Sequence, residues 1–300
     1  MIKMKISWSR KVFLVINYII LTIMALVCVL PFVNLLAISF SAKEAVIANE
    51  VTFWPIDFSL NSYQFILKSS QFMRSLWVSV KRTVPGVLIN MIIVILTAYP
   101  LSKSVKEFRL RNIFSWFLVV TILFNGGLIP TYLVVKYTGL IDSILALILP
   151  GAVNVFNILV VMNYMRSLPK EMSEASYIDG AGHTQVLFKV ILPLCKPTIA
   201  TVTLFSFVNH WNSWFDGMIY MNTVEKYPLQ SYLQTVVINT ESFFRNASNT
   251  SSEIANYVKL VNARTTSAAQ LFLAMIPILC IYPFLQRYFT TGLVMGSVKG

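Results

Sequence analysis

Asn209, Trp211, Asn212, Trp214 and Asp216 stand close together in an otherwise apolar run. On a helix, Asn209, Asn212 and Asp216 fall at i, i+3 and i+7 and share a face, with Trp211 and Trp214 on the neighbouring stripe. Amides and a carboxylate exchange hydrogen bonds with hydroxyls, and an indole covers a C–H face. The set therefore suits non-covalent recognition of a polyhydroxylated molecule. Hydrogen bonding from helix to helix is the competing use of the same groups. Covalent chemistry is not indicated. Gly180-Ala181-Gly182-His183 lacks the lysine and preceding strand of a phosphate loop, and no Ser/His/Asp set is readable. His183 and His210 are the only histidines, and Cys28, Cys195 and Cys280 lie in or beside apolar runs without metal-ligand spacing. The expectation is a chain without catalytic residues, bound metal or bound nucleotide.

A second constellation lies in the polar island 166–196, where Glu174-Ala175-Ser176 precedes a turn at Asp179-Gly180 and then Val190-Ile191-Leu192-Pro193. Pro169 just upstream and Ser173-Glu174 near a helix start predict a capped helix with negative charge where its dipole favours it. Gly180 permits a tight reversal. Leu187, Phe188 and Ile191 then form an apolar ridge able to enter a groove on a partner. A short amphipathic handle between apolar runs is what a soluble motor needs in order to pull on a membrane subunit.

The elements that hold these residues follow from composition. With 56% apolar residues and 12% charged residues, a soluble fold would lack polar surface, so the chain is integral to a membrane. Charge-free runs at 12–38, 83–102, 112–135, 143–165, 197–215 and 265–286 are each close to or above the roughly 20 residues that a helix needs to cross the hydrocarbon. They are continuously apolar rather than alternating, which predicts six transmembrane helices and an all-α fold forming one membrane domain over 1–300. Pro85 with Gly86, and Asn125, Gly126, Gly127 and Pro130, are expected to interrupt the second and third spans. The first run is too long for a cleaved leader and reads as a retained anchor.

Six spans put both ends on one side. Fourteen of the 24 Lys and Arg and four of the 12 acids fall there, a net +10 against +2 opposite. The positive-inside rule makes that side, with island 166–196, cytoplasmic. This asymmetry accounts for the basic balance without nucleic acid. Asn246 and Asn249 in the Asn/Ser-rich outward stretch match the short glycosylation pattern, which arises often by chance. In the carboxyl-terminal tail 287–300, the stretch from Thr290 to Gly300 contains glycines, carries one charge and cannot pack alone.

The island's spacing, Glu174-Ala175-Ser176-x3-Gly180-x9-Val190-x-Leu192-Pro193, resembles the EAA loop (EAA-x3-G-x9-I-x-LP) of permease subunits in bacterial ATP-binding-cassette importers. Ser176 replaces Ala and Val190 replaces Ile, both nearly isosteric. Gln286-Arg287-Tyr288-Phe289, Thr291-Gly292-Leu293 and Gly296-Ser297-Val298-Lys299-Gly300 are similar to the carboxyl tail of the carbohydrate-importing, maltose-type branch. Phe124-Asn125-Gly126-Gly127-Leu128-Ile129-Pro130-Thr131-Tyr132, Ala146-Leu147-Ile148-Leu149-Pro150-Gly151 and His210-Trp211-Asn212-Ser213-Trp214-Phe215-Asp216 resemble its subgroup for complex oligosaccharides and polysaccharide fragments. The resemblance runs over about 12–300.

It implies a type I importer permease in the bacterial cytoplasmic membrane. Such a subunit pairs with a second, non-identical permease and two ATPase subunits that bind ATP and Mg, and receives cargo from an extracellular or periplasmic sugar-binding protein. On this resemblance Glu174, Ala175, Ser176, Asp179, Gly180, Leu192 and Pro193 couple to the ATPases, and Gly296, Ser297, Lys299 and Gly300 dock between them. Asn209, Trp211, Asn212, Trp214 and Asp216 are candidates for the substrate path. The alternatives are a secondary transporter driven by an ion gradient, against which stands the lack of an evident repeat, and an ATP-driven importer of a non-sugar solute.

Overall fold

The computed structural model describes residues 8–238 and 260–297, with 236–238, 285 and 287–297 as backbone only. In chain order the helices are α1 (Trp8–Ser39), α2 (Lys43–Ile47), α3 (Asn61–Lys68), α4 (Ser70–Ser102), α5 (Arg111–Leu123), α6 (Leu128–Tyr137) and α7 (Val155–Ser167). They continue with α8 (Lys170–Ile178), α9 (His183–Leu194), α10 (Lys196–Asn212), α11 (Phe215–Tyr220), α12 (Leu229–Ile238) and α13 (Ala263–Ser297). No strand occurs among the described residues. The expected all-α membrane fold is borne out: α1, α4 and Ala263–Phe284 are long and apolar enough to cross a membrane, and three bent helix pairs bring the number up to six.

Those pairs correct the picture of straight spans. The third run is broken between α5 and α6 by 115°. Asn125 Oδ1 accepts from Gly127 N at 2.9 Å, and Gly127 has φ 85°, a conformation glycine adopts without strain. The fourth run begins as short 3-10 turns, Ile144–Leu147 and Leu149–Gly151, that meet α7 at 46°, because Pro150 cannot continue an α-helical ladder. The fifth is α10, joined to α9 at 82°.

The second run departs the other way. It begins at Ser70 rather than 83, and Pro85 and Gly86 lie inside a continuous helix. Lys81 and Arg82 do not end it, since Arg82 is buried against a partner carboxylate described below. Gly86 has a packing role instead. A Cβ there would sit 2.8 Å from the buried His210 ring, so glycine allows α10 to approach α4 closely. The last helix continues past 286 to Ser297, so most of the expected tail 287–300 is helical; Lys299 and Gly300 lie outside the described residues, as do Asn246 and Asn249.

The chain divides into two compact units. In the first (1–70 and 235–274), Ala37, Ile38, Ala45, Val46, Val51 and Ala268 share one apolar cluster. Phe40 stacks on Phe58 and Tyr63. In the second (71–234 and 275–300), the core is built from α4, α7, α9 and α10, with Val94, Ala98, Ile158, Val161, Val186 and Val202 almost wholly buried. Asn90 and Asn157 lie inside it, and Asn90 Nδ2 donates to Ala152 O at 2.8 Å, which satisfies an amide that would be costly in an apolar interior. Long exposed apolar stripes on α1, α4 and α5, including Ile19, Leu88 and Trp116, are what a lipid-facing surface requires.

Candidate functional site

The polar island folds as a helix, a reversal and a second helix. Helix α8 starts at Lys170 behind Pro169, with Glu171 in its first turn, where the exposed backbone N–H groups favour negative charge. The cap therefore falls four residues before the expected Ser173, and no side chain caps the helix, because Pro169 itself occupies the cap position. Glu174 and Ala175 lie mid-helix and exposed. Ser176 Oγ donates back to Met172 O at 2.9 Å.

At the other end Gly180 has φ 78°. Gly180 N donates to Tyr177 O at 3.0 Å and Ala181 N to Ser176 O at 3.0 Å. These are the two bonds of a Schellman stop, which needs the left-handed residue that glycine supplies. The expected reversal at Asp179-Gly180 is thus built from backbone geometry. Just before it, Ile178 is 87% exposed and Met172 42%, an apolar pair on an otherwise polar helix.

Helix α9 follows, with a π-helical turn over Val186–Ile191. Its expected apolar ridge is divided. Leu187 and Ile191 are buried in the chain's own core, and only Phe188, 56% exposed, faces outward. The large exposed apolar side chains of α8 and α9 are Ile178, Met172 and Phe188, of which only Phe188 belongs to the ridge expected from the sequence. Leu192 packs on the core, and Leu192-Pro193 leads to the elbow at buried Cys195, where α10 begins.

The second candidate set does not lie on one helix. Helix α10 ends at Asn212, Ser213 is extended, and Asp216 sits in the first turn of α11. Asp216 faces Arg82 of α4, a residue 3% exposed, in a two-pronged ion pair. Arg82 Nη1 also donates to Ser213 O at 2.9 Å, while Asp216 Oδ1 accepts from Ser213 Oγ at 3.0 Å and from Gly217 N at 2.9 Å. Ser231 Oγ donates to Trp214 O at 2.6 Å. One guanidinium thus ties the α10–α11 break to α4. The shared fork geometry makes such pairs strong and directional.

No family model matches the sequence. The chain is 38% identical over 292 residues to the polygalacturonan/rhamnogalacturonan transport system permease protein YtcP of Bacillus subtilis (strain 168), covering 97% of this chain and 100% of that protein. The chain belongs to the permease subunits of ATP-binding-cassette sugar importers. A chain in the crystal structure of a bacterial ABC transporter involved in import of the acidic polysaccharide alginate superimposes with TM-score 0.85 at 31% identity, covering 96% of this permease and 100% of that chain. A chain in the crystal structure of a bacterial alginate ABC transporter in complex with an alginate pentasaccharide-bound periplasmic protein shares the fold, with TM-score 0.56 at 16% identity over 92% and 93% of the two chains.

Membership of this family sets aside the ion-gradient reading. An integral membrane protein working with ATPase subunits follows from it. Within the permease, Trp211 is buried and stacked on Phe207 at 5.9 Å, so its ring is part of the packing. Asn209, Asn212 and Trp214 are exposed. Asp216 is committed to Arg82, a pairing that the sequence reading missed because 134 residues separate the two. The available signal was the Lys81-Arg82 pair at the edge of the second apolar run and Asp216 at the edge of the fifth, charges that are costly near apolar spans without a partner. Gly296 and Ser297 fall in the last turns of α13.

Proposed function

We propose that this permease moves an oligosaccharide derived from a polysaccharide, and that it couples cargo release to closure of two ATPase partners through α8. The observation that carries the cargo class is the match along the whole chain to permeases named for polygalacturonan/rhamnogalacturonan and alginate import. The exposed Ile178 beside the Gly180 stop supports the coupling role, since it is an apolar tip on a rigidly capped helix. Glu174, Ala175, Ser176 and Asp179 form the polar flank of that tip, and Leu192 and Pro193 set the elbow that joins it to α10. Both termini lie in the cytoplasm, and the α13 end at Gly296 and Ser297, continued by Lys299 and Gly300, reaches toward the ATPases.

The permease itself contributes no catalytic group. ATP and Mg are held by the ATPase subunits, a second non-identical permease completes the path, and a sugar-loaded binding protein delivers cargo from outside. Asn209, Asn212 and Trp214 line the path, with amides for hydroxyls and an indole for a C–H face. Trp211 and Asp216 support them from behind. The test is a complex reconstituted in proteoliposomes with its binding protein. Galacturonan or alginate oligosaccharides should stimulate ATP hydrolysis and enter the lumen, while amino acids should not. Stimulation by amino acids alone would reject the cargo class.

A further inference from the structure

Helix α8 buries no residue fully, and Tyr177 is its residue that packs against the core. The Tyr177 hydroxyl is the hub of a polar cluster. It lies 2.9 Å from His183 Nδ1 and 3.3 Å from the Tyr99 hydroxyl, and it accepts from Lys103 Nζ at 3.1 Å. Tyr99 OH donates to His183 O at 3.2 Å. The Lys103 ammonium also stands 4.8 Å from the Tyr99 ring centroid and 5.4 Å from that of Tyr177. Four side chains from the end of α4, the loop after it, α8 and the start of α9 therefore meet at one oxygen. Tyr99, Lys103 and His183 line an open cavity of about 380 Å³ with Glu107, Phe108 and Phe188. Apolar packing already joins α9 to α4, since Leu187 and Tyr99 share one core cluster and the Tyr177 ring packs against it; the polar cluster adds a directional link from α8 to the end of α4.

We infer that the Tyr177 hydroxyl, held by Tyr99, Lys103 and His183, is the joint that transmits displacement of α8 to the membrane helix α4. The inference rests on the coupling role proposed for α8. A helix hung on one aromatic residue can be moved as a unit. Because three neighbours converge on the hydroxyl, that movement reaches α4 rather than dissipating in the loop. Tyr177 is a positioning residue here, acting through Tyr99 and Lys103 rather than on cargo.

The test compares three variants in the full reconstituted importer: Tyr177→Phe, which keeps the ring and removes only the hub oxygen; Lys103→Met; and Ile178→Asp, which alters only the exposed tip. Assembly with the ATPases and the ratio of stimulated to basal hydrolysis are read together. The joint predicts that Tyr177→Phe and Lys103→Met each assemble and lower the ratio about fivefold or more. It also predicts that the double variant is no worse than the single ones, since they disable one device. A lowered ratio in Ile178→Asp with a normal ratio in Tyr177→Phe overturns the joint and leaves the coupling role standing. A normal ratio in Ile178→Asp rejects the coupling role itself. Loss of assembly in both Tyr177→Phe and Lys103→Met, or additive losses in the double variant, overturns the joint as well, because the cluster would then serve folding alone.

Discussion

Arg82 is buried within α4, a helix long and apolar enough to cross a membrane, and a buried cation is costly unpaired, whereas a paired one holds its partner in place. Replacing Asp216 by Ala strands that charge and should destabilise the subunit by about 3–5 kcal/mol. Arg82→Met with Asp216→Leu removes both charges and should recover much of the loss, as read by the amount of assembled complex in detergent. Equal damage in the single and double variants would show that the pair contributes through shape alone. The two tryptophans separate in the same way. Trp211→Ala empties a packed site and should lower assembly, with a cost of about 3–5 kcal/mol. Trp214→Ala removes an exposed ring and should lower uptake of cargo while assembly persists. Normal uptake in Trp214→Ala would remove that residue from the path.

At the scale of elements, the coupling segment depends on how α8 ends. Gly180→Val places a branched side chain at φ 78° and strains the stop, whereas Gly180→Asn suits a left-handed residue. The valine variant should insert and pair yet lose stimulated hydrolysis, and the asparagine variant should keep most of it. Equal activity in both would mean that the reversal is not needed. The motif's spacing predicted this turn because a glycine stop is a local device. The buried side of α9 was not legible, because an apolar face at helical spacing reads the same whether it meets a partner or the chain's own core, where Leu187 and Ile191 lie. Asn209, Asn212 and Asp216 share a face only if one helix runs through them, and the break at Ser213 dissolves that face. Charge-free runs located the membrane segments but placed the start of α4 too late, since composition alone does not show that Arg82 has a partner.

For the whole molecule, topology and coupling must agree. In a variant lacking native cysteines, Ser104→Cys should resist impermeant thiol reagents in intact cells, while Tyr137→Cys, at a position 82% exposed, should react. Reaction at Ser104 would reverse the assignment of the coupling side. The central claim is that α8 touches the motor through its apolar tip. A photoactivatable crosslinker attached at Ile178→Cys in the assembled importer tests it most directly: the account predicts a covalent product with an ATPase subunit. Products formed with lipid or the second permease, and none with an ATPase, would contradict it.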